Sequence, residues 1–195
     1  MEFQQTLDLF GDVDIYVIDQ ILKGRYKKDD KILDAGCGSG RNLKWFYKNG
    51  FKISGIDLDE KRLGIARNLY PDAASNFIKG ELGNLPYPEN EFDHILCCAV
   101  LHFAENKDHF LQMFSELIRV LKPGGSLLIR VASDIGLDGE KPNVQDPVND
   151  RKAGFYITRD LISELMEIHQ LDLLEPVKTT NVQDIRAMTT LVFRK

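Results

Sequence analysis

The stretch Ile32-Leu33-Asp34-Ala35-Gly36-Cys37-Gly38-Ser39-Gly40-Arg41-Asn42 decides the fold. It opens as a short apolar strand and turns through glycines at 36, 38 and 40. An amphipathic pattern then runs through Leu43, Trp45, Phe46 and Tyr47. Glycine at alternate positions lets the chain turn sharply and lets its backbone approach a ligand that a side chain would block. A helix starting behind such a turn aims unpaired N–H groups at whatever lies above it, which favours a carboxylate or phosphate. The stretch therefore reads as a nucleotide-type cofactor loop. The dinucleotide fingerprint is G-x-G-x-x-G, with its third glycine packing helix on strand. Here the spacing is G-x-G-x-G, and Arg41 stands where that third glycine would be.

Working outward, Lys52-Ile53-Ser54-Gly55-Ile56 ends in Asp57, 21 positions beyond Gly36. An acid about 20 residues on, at the tip of the second strand, is placed to hydrogen-bond ribose hydroxyls. Then follow Gly80-Glu81-Leu82-Gly83-Asn84-Leu85-Pro86-Tyr87, Glu91–Cys98 with Val100-Leu101-His102-Phe103, and Leu121-Lys122-Pro123-Gly124-Gly125 leading into Ser126–Ile129. In this order and spacing, over roughly residues 31 to 132, the chain resembles the class I S-adenosylmethionine-dependent methyltransferases.

That resemblance implies S-adenosyl-L-methionine as cofactor, S-adenosyl-L-homocysteine as product, and direct in-line transfer of a methyl group to a small-molecule acceptor. It implies a cofactor site of Asp34, Gly36, Cys37, Gly38, Gly40, Asn42, Asp57, Leu58, Glu81, Leu82, Cys98 and Ala99, with Glu81 meeting the adenine amino group. Gly38-Ser39-Gly40-Arg41-Asn42 and the C-terminal Asp184–Lys195 further resemble the tellurite-resistance subgroup, whose members methylate small soft nucleophiles. Two other readings stay open. A nicotinamide oxidoreductase on the same sheet lacks the third glycine, and a non-enzymatic module of this family would not need Asp34, Gly36, Gly38, Asp57 and Glu81 together.

Composition fits such an enzyme. A chain of 195 residues, 43% hydrophobic, can bury a sizeable core, and a single domain over 1–195 is expected. Within it, 1–30 reads as a helical cap, 31–132 as the cofactor core, 133–157 as a candidate substrate lid, and 158–195 as a closing helix with two strands. No apolar run reaches the ~18 residues that cross a bilayer. Met1-Glu2-Phe3-Gln4-Gln5 lacks the regions of a signal peptide, so a cytoplasmic location without membrane association is expected. The cysteines, including the pair Cys97 and Cys98 on a strand, form no disulfide framework. A net charge of −5 argues against a nucleic-acid partner. The basic cluster between Lys23 and Lys31 is broken by Asp29 and Asp30 and reads as a solvated helix end. A monomer or homodimer is expected.

Apolar spacing predicts strands near 31–36, 52–56, 75–79, 93–98, 125–132, 171–177 and 187–194, and helices near 11–24, 40–49, 60–69, 106–121 and 158–169. Alternating β and α elements imply a Rossmann-like, doubly wound α/β fold. It would have a seven-stranded, mostly parallel sheet, helices on both faces and an antiparallel last strand. Thr158 carries a helix-capping signal.

A sulfonium methyl is already activated, so the protein mainly aligns the reactants and excludes water, and a base is needed only for a protonated nucleophile. His102, after the fourth strand, is either that base or a structural group. Cys98 is a nucleophile or a small residue lining the core. Arg130 lies in an apolar strand, where an unpaired charge is costly. It pairs with a buried acid or holds a substrate anion. Arg186 binds an anionic acceptor or makes a surface salt bridge, and Tyr16 on the N-terminal helix is the third candidate acceptor contact. That helix covers the cofactor or packs on the sheet. The four histidines show no metal-ligand spacing, and no metal is expected.

Overall fold

The computed structural model describes residues 3–137 and 152–195. Eight strands form one sheet: β1 (Lys31–Ala35), β2 (Lys52–Asp57), β3 (Phe77–Lys79), β4 (Phe92–Cys98), β5 (Leu121–Ser133), β6 (Asp172–Leu173), β7 (Lys178–Val182) and β8 (Arg186–Arg194). Their order is β3-β2-β1-β4-β5-β8-β6, with β7 also paired to β8. The first five are mutually parallel, and β8 runs antiparallel to β5, β6 and β7. The doubly wound fold expected from sequence is what forms. Of the strand expected over 171–177 only β6 forms, because Pro176 removes a ladder donor, and β7 beyond it is an eighth strand where seven were expected.

Among the described residues six α-helices accompany it: α1 (Phe3–Phe10), α2 (Ile15–Leu22), α3 (Lys44–Lys48), α4 (Glu60–Leu69), α5 (Lys107–Val120) and α6 (Arg159–His169). The N-terminal helix expected over 11–24 is shorter, α2 alone, and α1 before it was not expected. Gly11 has φ +56°, outside the helical region, and Asp14 caps α2 by accepting the Tyr16 N–H at 3.0 Å. The helix expected from residue 40 begins as a 3-10 turn over Arg41–Leu43 before α3. Thr158 caps α6 as expected, its hydroxyl accepting the Leu161 N–H at 3.1 Å. The loop expected to leave the sheet at 133 leaves it later, because Ser133 is the last residue of β5, bridged to Ile157. Most of the candidate lid, residues 138–151, lies outside the described residues.

Side-chain alternation along the strands splits the core in two. Leu33, Ala35, Ile95, Cys97, Leu127 and Ile129 face α5 and α6, meeting Phe110, Phe114, Leu117, Leu161 and Leu165. Ile32, Leu96, Cys98, Leu128 and Val192 face the other way, against Val17, Phe46, Leu63 and Ala66 of α2, α3 and α4. Each strand is thus covered on both sides, which is why β1, β4 and β5 read as nearly continuous apolar runs. Strand order reverses between β1 and β4, so the loops leaving these two strands part there and open a crevice.

Candidate functional site

The crevice is built by backbone first. Gly36 and Cys37 both donate to the Ile56 carbonyl, at 2.8 and 3.0 Å, tying the loop after β1 to the end of β2. Gly36, Gly38 and Gly40 all have positive φ, but for different neighbours. A side chain at Gly36 would start 2.3 Å from Val100 Cγ2, and one at Gly40 would start 2.8 Å from the Tyr70 ring. At Gly38 the nearest atoms are those of the Arg62 side chain, at an ordinary 3.6 Å. Gly36 and Gly40 are therefore needed by packing, and Gly38 is the one that faces open space.

Asp57 closes the loop from the other side. One carboxylate oxygen accepts the Gly38 N–H at 2.7 Å, and the other accepts the Asp59 N–H at 2.9 Å. A carboxylate has about four acceptor positions, so two remain for a ligand. Leu58, half exposed beside it, and Glu81 and Leu82, which follow β3, complete that end, Glu81 exposed and Leu82 buried. Gly80 donates to the Asp57 carbonyl at 3.0 Å, which holds the two segments together.

Asp34 differs from the other acids among the described residues. It is 1% exposed, and neither carboxylate oxygen makes a hydrogen bond of good geometry with a described residue. Burial pushes its pKa up to about 7, against the pull of Arg41 and of the neighbouring Asn42 amide. Asn42 in turn accepts the Asp14 N–H at 3.0 Å, clamping the start of α2 to the helical turn behind the glycine loop.

Asp14 is the residue that sequence reading missed. Its carboxylate takes Arg130 at 3.1 Å and approaches Arg41 at 3.8 Å while capping α2. Arg130 therefore pairs with a nearly buried acid, the first of its two expected roles. Its guanidinium also lies 5.9 Å from the Tyr16 ring centre. The Tyr16 hydroxyl meets the Thr180 hydroxyl at 2.7 Å, and Lys178 lies 6.0 Å from the same ring. Together they make a polar wall beside Cys98, the strand partner of Arg130. The sequence places Asp14 inside the helix expected over 11–24, with nothing to mark it as a partner of Arg130. Its pairing spans 116 positions and leaves no local pattern.

Of the remaining candidates, Ala99 adopts φ +62° and donates to the Arg130 carbonyl at 2.7 Å, a turn that swings Val100 onto Gly36. Burial pushes the Cys37 and Cys98 thiols well above the ordinary range. Both stay protonated at neutral pH, which leaves Cys98 its lining role. His102 is 1% exposed, and its Nδ1 accepts the Ala132 N–H at 3.3 Å. Its carbonyl accepts from Gly154 and Phe155, so the residue pins the end of β5 to the segment that returns from residue 152. These contacts describe the structural role. Arg186 is exposed at the start of β8, next to Ala187, the register partner of Ser133 at the end of β5. α2 packs Val17 on the sheet, the second of its two expected roles, and carries Asp14 and Tyr16 at its start.

A family described as "Methyltransferase domain" matches residues 33–129. Demethylmenaquinone methyltransferase of Tropheryma whipplei (strain Twist) is 34% identical over 100 residues, 51% of this chain and 41% of that protein. The first curated relatives are all longer, and the chain spans only 40–42% of four of them. Among solved structures, a TehB-like SAM-dependent methyltransferase from Corynebacterium glutamicum ATCC 13032 superposes with a TM-score of 0.67. It is 24% identical, over 98% of this chain and 94% of that one. The 1,6-didemethyltoxoflavin-N1-methyltransferase of Burkholderia thailandensis, solved with S-adenosylhomocysteine, gives a TM-score of 0.70 at 19% identity, over 99% of this chain and 83% of that one.

Proposed function

Since the chain belongs to the class I S-adenosylmethionine-dependent methyltransferase family, we propose that it transfers the methyl group of S-adenosylmethionine to a small-molecule acceptor. The observation that carries this reading is Asp34. A buried carboxylate with only the weak pull of the Asn42 amide and the Arg41 charge is costly unless something completes it, and an ammonium such as that of the cofactor's methionine end supplies both charge and donors. Asp57 has acceptor positions left for ribose hydroxyls, Gly38 leaves space above the loop, and Glu81 is free to meet the adenine.

When bound, the cofactor supplies an already activated methyl group on a sulfonium. This chain's own part is binding and orientation. Asp57 fixes the loop through the Gly38 N–H and the second segment through Asp59. Arg130, held by Asp14 and stacked on Tyr16, presents its remaining donors on the wall where an acceptor with anionic character would lie. Tyr16 and Thr180 close that wall. The curated relatives' named acceptors, such as demethylmenaquinone, support a small molecule. Among the described residues no helix is long and apolar enough to cross a membrane.

Methyl-labelled cofactor offered with a panel of carboxylate, hydroxyl, thiol and amine acceptors tests the proposal. Label is expected in at least one acceptor class. A protein that binds the cofactor yet labels none is a binding module instead.

A further inference from the structure

A cavity of about 330 Å³ opens at the opposite edge of the sheet, where β1, β4 and β5 begin. It shares no residue with the crevice. Arg25, Lys27, Lys122 and Arg194 line it with Asp30 and Asp93, so the lining carries four cations against two carboxylates in a chain of net charge −5. The carboxylates are committed inside the protein. Asp93 accepts from Lys122 at 2.7 Å and from the Lys31 N–H at 2.9 Å, and Asp30 accepts the Lys27 N–H at 2.6 Å. Arg194 shares one nitrogen with Asp172 at the rim. Among the described residues Arg25 uses only its Nε, on Gln20 at 2.6 Å, leaving both terminal nitrogens, and the Lys27 ammonium makes no ion pair.

The floor is a hydrogen-bonded chain. His94 sits between the nearly buried Ser126, 2.7 Å from Nδ1, and Asp30, 3.0 Å from Nε2. Gly124, with nothing within 4 Å of where a side chain would start, keeps the mouth clear.

We propose that this cavity is a second ligand site, taking the dianionic phosphate of a small phosphorylated molecule between Arg25 and Lys27, with Ser126 and His94 beneath it. A phosphate monoester carries close to two negative charges at neutral pH, matching the surplus of the lining. Its oxygens accept from the terminal nitrogens of Arg25 and the ammonium of Lys27. The volume is at the lower end for small-molecule pockets, which suits a compact metabolite.

The floor responds to the charge above it. The groups facing His94 are Asp30, Asp93 and Ser126, the Tyr26 ring, and the cations Arg25 and Lys122. Burial holds the free imidazole below its ordinary pKa against the pull of Asp30, so it is neutral at neutral pH, with Nε2–H on Asp30 and Nδ1 accepting from Ser126. An anion above Ser126 favours uptake of one proton from solvent. Nδ1–H then donates to Ser126, whose own hydroxyl is released to donate to the ligand.

The test is titration of the full chain with inorganic phosphate, read by calorimetry and by the His94 ring resonance. Phosphate is expected to bind and to move the His94 titration to higher pH. Arg25→Gln with Lys27→Gln is expected to weaken phosphate by about tenfold or more, as losing two charge-assisted contacts would. Lys27→Gln alone, an exposed change that leaves the Arg25–Gln20 contact in place, is expected to weaken it several-fold. S-adenosylhomocysteine affinity should be equal in all three proteins, which separates this site from the methyl-transfer reading. Millimolar phosphate that leaves the His94 resonance unmoved, equal phosphate affinity in the variants, or preference for succinate over phosphate would overturn the proposal.

Discussion

The glycine loop and the polar wall face each other across one crevice, yet they are specified in opposite ways. The loop, Asp34 to Asn42, is written in nine consecutive residues, and its geometry comes from backbone: three positive-φ glycines and two N–H groups on one carbonyl. The wall is assembled from Asp14, Tyr16, Arg130, Lys178 and Thr180, with partners up to 164 positions apart. Changes in the loop should therefore act through sterics and fold, and changes in the wall through charge and orientation.

The largest effect is expected inside the loop itself. Gly36→Val would drive its side chain into Val100 at a φ of +78°, and overpacking with left-handed strain should cost about 2–5 kcal/mol. Gly38→Val meets only the flexible end of Arg62, so most of its cost is the strain of a φ of +53°, about 1–2 kcal/mol, while cofactor binding is lost. Chemical denaturation of both variants, with calorimetry on Gly38→Val, separates a packing glycine from a ligand-facing one. Equal destabilisation would erase the distinction.

Asp57→Ala comes next. It removes the acceptor for the Gly38 N–H as well as the proposed ribose contact. Cofactor affinity should fall by about 1.5–3 kcal/mol, the range for bonds to a charged group. Unchanged affinity by calorimetry would remove Asp57 from the site.

Asp34 gives a pH signature. Its folded pKa of about 7 lies above the unfolded value of 3.8, so between those pH values the folded state holds more of this proton. The contribution of Asp34 to stability is therefore favourable below about pH 4 and is lost as pH rises towards 7. Asp34→Asn should stabilise the cofactor-free protein at pH 8 by at least about 1 kcal/mol while abolishing cofactor binding. Denaturant midpoints at pH 5 and pH 8 check this, and a variant less stable at pH 8 would mean that the carboxylate has a partner inside the protein.

The wall should respond least in stability. Asp14→Ala loses the cap of α2 and the pairing of a partly exposed Arg130, about 1 kcal/mol in all. Cofactor affinity should stay within a few-fold, with KM for the acceptor raised. Loss of cofactor affinity as large as that of Asp57→Ala would put the wall in the cofactor site.

How much was legible follows the same division. The strands, the parallel sheet with its antiparallel last strand and the loop could be read because strand, turn and helix each signal within a few residues, and Asp57 sits at a fixed distance from Gly36. Two departures were local and small. Gly11 and Asp12 delay the start of the helix expected from residue 11, and Pro176 cuts short the strand expected over 171–177. Asp14 could not be read as a partner of Arg130, because an ion pair between distant segments leaves no spacing to find. The roles of Gly36 and Gly40 as packing glycines were hidden too, since Val100 and Tyr70 come from other elements. His102 was ambiguous in sequence because both expected roles place a histidine after the fourth strand, and its contact with the Ala132 N–H, which fits the structural role, spans segments 30 positions apart.

The central claim is that the crevice after β1 and β2 holds an adenosylmethionine-type cofactor and not a dinucleotide. Calorimetric titration of the protein with S-adenosylhomocysteine and, separately, with NAD tests it most directly. The expected result is saturable binding of S-adenosylhomocysteine at one site and none of NAD. Binding of NAD with S-adenosylhomocysteine inert would contradict the account.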